Sequence, residues 1–519
     1  MTFSKYASKR TWIYSVALLL TLVSVSWSAA VAQEEPVFVK EFEVPTQDSG
    51  PFAIKVDDQG TVWFTEDKVG KLAAFFPSNG TFREYQLPTN SSNLWGLAID
   101  KKGNVWVTGW DSNLLYRFNP TSQEFAEFKV PTPDSAPLEI IVGPDDNLWF
   151  TEFNASKLGT INPDTGVINE ILLPTNRSGV SGIFADPEGK IWYTEAYAKK
   201  LGSLDLETGE IREFEPSVTI FSPVGLVRDP SGSVWFADHG KGELGFFDPS
   251  TNQWAVYATS PSPREVYPVS LPNEIVRDSK GNIWVAEHGG NKIGKFDPGS
   301  LAWTEYHIPT VPAITLWLSL DAEENVWFTE WDGNKIGFVD TTLEAPFDVS
   351  LNSQRVSINP GEQATITIQL NAEPDFASPL NLTVAGRPRN VTIDFSQEQV
   401  VPIAGIIAPQ EVLIKTEQDL LPGIYNLTLS ASDGQISRGK VFALEVGTGA
   451  PPELFGAEDD LGTTVASAVA GVVVGIGAGV GIFKYRRRRE VQGKRLDEIR
   501  KKELKKREEE RLRKRRRQR

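Results

Sequence analysis

Seven tryptophans recur at a nearly fixed interval: Trp63, Trp106, Trp149, Trp192, Trp235, Trp284 and Trp327, with spacings of 43, 43, 43, 43, 49 and 43 residues. Each lies in the same phrase: GTVWFTE, GNVWVTG, DNLWFTE, GKIWYTE, GSVWFAD, GNIWVAE and ENVWFTE. A period of this size with strand-like content implies a β-propeller. One copy, NLWGLAID–VWVTG–LLYRF–EFAEFKVP with turns between, reads as four short strands, a to d. A blade cannot bury both faces alone, so neighbours must pack side by side and close a ring. The tryptophan of strand b is then the apolar filler between blades. Six copies end in a d strand, from REYQLP to TEYHIP, whereas the seventh stops after strand c at Ile336 to Asp340. The missing strand stands at the front as KEFEVP, Lys40 to Pro45, so the N-terminal segment is expected to latch the last blade. The expected fold is all-β, with a seven-bladed propeller over residues 37–342.

The flanks place this ring in a membrane topology. Residues 1–32 read as a signal peptide: Lys5, Lys9 and Arg10 precede an apolar stretch, and Ala30-Val31-Ala32 offers a cleavage site. The alternative is an uncleaved anchor. Val465 to Phe483 is 19 residues without a charge, followed by Lys484 and Arg486 to Arg489. This implies one C-terminal transmembrane helix, residues 463–483, with the tail inside and the N-terminal ectodomain outside the cell membrane. The tail, 484–519, carries 20 Lys and Arg against 7 Asp and Glu, and should be drawn to anionic lipid headgroups. Between signal and tail, 29 basic residues face 61 acidic ones, which argues against nucleic acid and other polyanions as outside partners. Gly471, Gly475 and Gly479 have a spacing that permits a dimer through the Gly-rich helix. Residues 345–446 alternate as short strands, and INPGEQATITIQL and LPGIYNLTLSASDG resemble bacterial and archaeal immunoglobulin-like modules. That resemblance implies an Ig-like β-sandwich acting as a spacer, joined to the membrane by a linker, 447–462. No cysteine is present, so disulfides and thiolate chemistry are excluded. Sequons at Asn79, Asn90, Asn154, Asn176, Asn381, Asn390 and Asn426 would make a glycoprotein if a surface glycosylation system reads them.

Chemistry is expected where strand a begins and strand b ends, around the central channel. The third residue after each tryptophan is Glu66, Gly109, Glu152, Glu195, Asp238, Glu287 and Glu330. Such a carboxylate ring could attract a cation, but a residue repeated in nearly every blade reads more simply as an acceptor for backbone N–H groups. The next position varies: Asp67, Trp110, Phe153, Ala196, His239, His288 and Trp331. Two of the three histidines fall here, and histidine is the usual base near neutral pH; two solvated loop histidines would give the same pattern. Ten residues before each tryptophan stand Ala53, Gly96, Glu139, Gly182, Gly225, Glu274 and Trp317, preceded by Phe52, Trp95, Leu138, Ser181, Val224, Asn273 and Leu316. The mouth should therefore have an aromatic side (Phe52, Trp95, Trp110, Phe153, Trp317, Trp331) and a polar side (Asp238, His239, Asn273, Glu274, Glu287, His288). That is the layout of a small-molecule or sugar site, although some of the aromatics would serve equally as packing between blades.

The phrases WFTEWDGNKIG, WVAEHGGNKIG, REYQLP and TEYHIP closely resemble the virginiamycin B lyase (streptogramin lyase) family over the whole propeller. The resemblance implies a seven-bladed ring and a Mg²⁺-assisted elimination that opens a cyclic depsipeptide at its ester. It also implies Pro-His motifs entering strand a of the last two blades, a Glu before the last of them and a Glu ending the last strand b. Here those positions carry Pro272-Asn273, Thr315-Leu316 in place of the catalytic base, Ile314, and Glu330. PNEIVRDSKGNIWVAEHGG also resembles the metal-ligand strand of lactonase-type propellers. Two functions follow, beside a purely structural role in the envelope. One is a membrane-anchored cell-surface propeller that binds a small molecule, glycan, peptide or surface protein through Phe52, Trp95, Trp110, Trp317, Trp331 and Asn273. The other is a divalent-metal lyase or lactonase with a rebuilt site. It would use Glu274, Glu287 and Glu330 as ligands, Mg²⁺ or Ca²⁺ as the ion, and His288 or His239 as the base.

Overall fold

The computed structural model describes residues 37–89, 92–260, 270–403 and 405–447. The expected signal peptide, most of the expected linker, the expected transmembrane helix, the basic tail and the sequon at Asn90 lie outside the described residues. Within them the chain is all-β, with seven four-stranded antiparallel blades in sequence order, six of them separate sheets and the sixth blade part of a larger one. The innermost strand of each sheet contacts that of the next, from Pro51–Val56 round to Leu318–Leu320 and back. The ring closes as the sequence implies. Val39–Glu43 is the outer strand of the last blade and pairs antiparallel with Lys335–Val339, from Val39 opposite Val339 to Glu43 opposite Lys335.

The repeated tryptophans are buried between blades, and they are more than filler. Each indole N–H donates to an aspartate in the a–b turn: Asp57, Asp100, Asp145, Asp186, Asp229, Asp278 and Asp321, at 2.8 to 3.1 Å. A large ring can occupy the interior only if its one polar atom finds a partner, and the turn supplies one seven times.

The second β unit has two sheets. One runs in the order Phe347–Leu351, Gln363–Ala372, Gln410–Thr416, Val391–Phe395. The other contains Ile436–Val446, Gly423–Ser432, Leu380–Ala385 and Gln399–Val400. Ile366, Ile368, Val412 and Ile414 of the first share one core with Leu382, Leu427, Leu429 and Phe442 of the second. The unit is not a free spacer. Ile436–Val446 pairs antiparallel with the outer strand of blade six, Ala302–His307, so the blade and the second unit form one nine-stranded sheet. His307 is buried in this joint, 2.7 Å from the Ser437 hydroxyl. Thr428 Oγ1 and Asn426 Nδ2 donate to Ala258 O and Val256 O on blade five, at 2.7 and 3.1 Å. The reason is general: a blade's outer strand is an open edge, and pairing it satisfies a row of backbone groups.

Candidate functional site

Six of the seven innermost strands slip register at the same point, between Pro51/Ile54, Leu94/Leu97, Pro137/Ile140, Val180/Ile183, Pro223/Leu226 and Pro272/Ile275. The residues inside the slip are the pairs singled out by sequence, from Phe52-Ala53 to Asn273-Glu274. A bulge leaves residues out of the ladder and re-aims their side chains, so this register break turns a strand start into a ring of site positions. In blade seven the equivalent Leu316-Trp317 directly precedes the short strand Leu318–Leu320.

Most of the collar is held by threonines two residues after the tryptophans. Thr65, Thr108, Thr151 and Thr194 accept from the bulge N–H of Ala53, Gly96, Glu139 and Gly182 at 2.7 to 3.1 Å. They donate to Leu94, Leu138, Ser181 and Val224 O of the next blade at 2.6 to 3.0 Å. Thr329 likewise reaches Phe52 O at 2.6 Å. Blades stand so close here that a Cβ at Gly96, Gly182 or Gly225 would lie 2.4, 2.2 or 2.6 Å from the neighbouring carbonyl oxygen. Blades five and six carry Ala237 and Ala286 instead of threonine, and polar side chains take over. Asn273 Nδ2 donates to Leu316 O at 2.9 Å. His239 Nδ1–H donates to Pro272 O at 3.0 Å, which leaves Nε2 as the basic nitrogen of the neutral ring.

The aromatic side assembles as one band. Phe52 lies 4.7 Å from Trp317 and 4.8 Å from Trp95; Trp95 stacks on Trp110 at 5.0 Å; Trp110 lies 5.2 Å from Phe153. Phe52, Phe153 and Trp317 are buried, while Trp95 and Trp110 are partly exposed. The sequence reading missed the end of the band, Tyr197, which is 54% exposed and meets Phe153 edge-on at 5.1 Å. Trp331 has a different setting. Its indole N–H donates to Asp67 at 3.1 Å and Lys68 Nζ sits 4.1 Å above its ring.

On the polar side, His239 and His288 meet with ring centroids 4.9 Å apart. Burial, helped by His239, holds the His288 pKa well below the usual imidazole range, so it is neutral at pH 7. Glu274 is 6% exposed and its carboxylate accepts no hydrogen bond among the described residues. Glu139, on the opposite side of the ring, accepts from Ile183 N at 3.1 Å. Burial raises both carboxyls, that of Glu274 to about 7; the Glu274 charge further raises Glu139, and Lys55 opposes both shifts. Lys55 was not foreseen, yet it is the one charged residue at its repeat position, shared with Ala98, Ile141, Phe184, Val227, Val276 and Ser319.

The carboxylate ring does not behave as one set. Asp238 accepts from Phe221 N and Ser222 N at 3.0 and 2.8 Å, as a backbone acceptor should. At Glu66, Glu152, Glu195 and Glu330 the equivalent N–H groups, those of Ser49, Ser135, Ser178 and Ala313, already donate to Asn334, Asn113, Ser156 and Asn291, and the buried carboxyl oxygens accept no hydrogen bond from them. Burial accordingly raises these acids, Glu66 to about 8 and Glu330 to about 9. Glu287 is tied to Ser270 Oγ and stands 3.5 Å from Lys292 Nζ. Glu274, Glu287 and Glu330 therefore do not form one ligand cluster, and no group of three metal-ligating side chains occurs among the described residues. The positions equivalent to the family's base and adjoining Glu, Leu316 and Ile314, offer no donor atom, so these residues do not fit a family-type magnesium site.

Residues 37–259 match the model of the virginiamycin B lyase family. Among solved structures, a selenomethionine-substituted virginiamycin B lyase from Staphylococcus aureus is 30% identical, with 58% of this chain and 98% of that one covered and a TM-score of 0.53. A streptogramin B lyase is 27% identical, with 58% and 97% covered and the same TM-score of 0.53. A catalytically inactive His-to-Ala variant of the S. aureus enzyme, solved with quinupristin, is 30% identical over 58% and 98%, with a TM-score of 0.53. No curated protein matches the chain.

Proposed function

This chain belongs to the virginiamycin B lyase family, and from that premise we propose that its propeller is a membrane-anchored, outward-facing module that binds a ligand through the mouth of the ring. The observation that carries this reading is the unbroken aromatic band from Trp317 through Phe52, Trp95 and Trp110 to Phe153. Flat ring faces at a partly exposed collar suit the apolar faces of sugars and of peptide rings. A relative's structure with quinupristin supports a cyclic peptide among the first ligands to try. The second β unit, fused to blade six, would hold the mouth at a fixed attitude above the membrane. The uncharged run and basic flank beyond it support anchoring with the tail on anionic lipid.

The contact between His239 and His288 favours a second reading, a lyase or lactonase with its base moved to blades five and six. The two readings separate in one experiment. The full chain in detergent is titrated by calorimetry with quinupristin and with N-acetylglucosamine oligomers, and the recovered quinupristin is checked by mass spectrometry for ring opening. Saturable binding that is lost in Trp95→Ala, with the ligand recovered intact, is the expected result. Ring opening abolished by His288→Ala would move the assignment to the enzyme. Binding by neither probe, or binding indifferent to Trp95→Ala, would contradict the mouth as the site.

A further inference from the structure

The bulge positions form a single level of the channel, and only three of them carry large side chains: Glu139 on blade three, Glu274 on blade six and Trp317 on blade seven. Blades three and six face each other across a seven-membered ring. Their carboxylates act on each other, and Lys55 of blade one acts on both. Glu139 has one backbone donor, from Ile183. Glu274 has none, although it is 94% removed from solvent, with a carboxyl oxygen 3.0 Å from where a Cβ on Gly225 would sit. A carboxylate so placed has the charge of Lys55 acting on it but lacks a hydrogen-bond donor.

The band borders both acids. Leu138, next to Glu139, is buried in one cluster with Phe153, Trp95 and Trp110. Glu274 N and Asn273 Nδ2 both donate to Leu316 O, the residue before Trp317. Among the described residues Glu274 has no hydrogen-bond donor and Glu139 has only Ile183 N, so a group that brings both positive charge and N–H donors suits this level.

We propose that the throat between Glu139 and Glu274 takes the ammonium group of an organic monocation whose apolar body lies on the aromatic band. This rests on the mouth being a ligand site and names the chemical class that it prefers. Aromatic faces beside buried carboxylates attract such cations through both quadrupole and charge.

The test is calorimetry on the full chain in detergent with benzylamine, which is protonated at pH 7, its neutral analogue benzyl alcohol, and MgCl₂. Benzylamine should bind and benzyl alcohol should bind on the order of tenfold more weakly or not at all. Glu274→Gln and Glu139→Gln should each weaken benzylamine by about the same factor. Lys55→Met should change it in the opposite sense, tightening it several-fold, which a variant that merely misfolds cannot do. Equal binding of benzyl alcohol and benzylamine, with both lost in Trp95→Ala, would overturn the cation site while leaving the mouth as a ligand site. Stoichiometric Mg²⁺ binding abolished by Glu274→Gln would overturn it in favour of a metal site.

Discussion

Blade one and blade six carry the same three charged positions, and the difference between them shows how burial sets the worth of a motif. In blade one, Lys71 stands 2.7 Å from Glu84, with the two side chains 22% and 18% exposed, next to the raised carboxyl of Glu66. Blades three, four and seven repeat the arrangement with similar exposure. In blade six, Lys292 stands 2.9 Å from Glu305 and 3.5 Å from Glu287, and all three side chains are fully buried. The second β unit makes the difference, because Ile436–Val446 covers the strand that carries Glu305. The repeat wrote one motif, and the domain joint turned one copy into an interior charge cluster.

The largest effect that separates the two blades should come from the lysines. Lys292→Met leaves two buried carboxyls without their cation and should cost about 3–5 kcal/mol, whereas Lys71→Met, at a solvent-screened pair, should cost no more than about 1 kcal/mol. Urea unfolding of both variants measures this, and equal losses would break the comparison. Next, cutting the chain after Asp340 should bare the edge of blade six. Aggregation or faster amide exchange confined to Ala302–His307 is expected, with the strands of blade one unchanged, by hydrogen-exchange mass spectrometry.

A collar bond comes third. Thr108→Ala leaves Gly96 N and Leu138 O without their shared hydroxyl and should cost about 1–3 kcal/mol. Blades five and six already live with alanine at this position, so a negligible loss at Thr108 would mean that the threonines are dispensable everywhere.

The smallest effect is a pH slope. Burial raises Glu66 to about 8 and Glu330 to about 9, far above the ordinary 4.5. Their proton is retained in the fold after the unfolded chain has lost it. The stability they contribute is full below 4.5 and is lost as pH rises through 8 to 9. The salt-bridged Glu41, Glu84 and Glu170 are held below 4.5 and act in the opposite sense, adding stability above that value that is lost as pH falls. Thermal unfolding should therefore peak on the acid side of neutrality and decline toward pH 9, and Glu330→Gln should flatten the decline. A profile that rises to pH 9 would contradict the assignment.

The ring, its N-terminal closure and the site positions at the start of strand a were legible from the repeat, because repetition separates scaffold from exception; the bulge that re-aims those positions was not. The aromatic band was legible for the same reason: Trp317 is large where four other copies carry Ala or Gly, and Phe52, Trp95, Trp110 and Phe153 are aromatic at positions that vary among the copies. Tyr197 escaped because its contact with Phe153 of the neighbouring blade is not encoded in linear spacing, and Lys55 because its repeat position, where it is the one charged residue, lies outside those compared. The weld between blade six and Ile436–Val446 escaped because edge pairing is made by backbone groups and leaves little mark on side-chain pattern. The carboxylates do not act as one set because a side chain from the preceding blade decides whether the backbone N–H is free to meet them. Asp238 accepts from the N–H groups of Phe221 and Ser222, while the N–H groups of Ser49 and Ala313 go to Asn334 and Asn291 and leave Glu66 and Glu330 raised by burial.

The account turns on the mouth being where a ligand sits, and hydroxyl-radical footprinting of the full chain reads that directly. With a saturating amount of the tightest-binding probe, Trp95, Trp110 and Tyr197 should lose reactivity together, while Tyr425 on the second β unit keeps its own. Protection at Tyr425 or on the outer strands, with Trp95 and Trp110 unchanged, would place the ligand elsewhere and contradict the account.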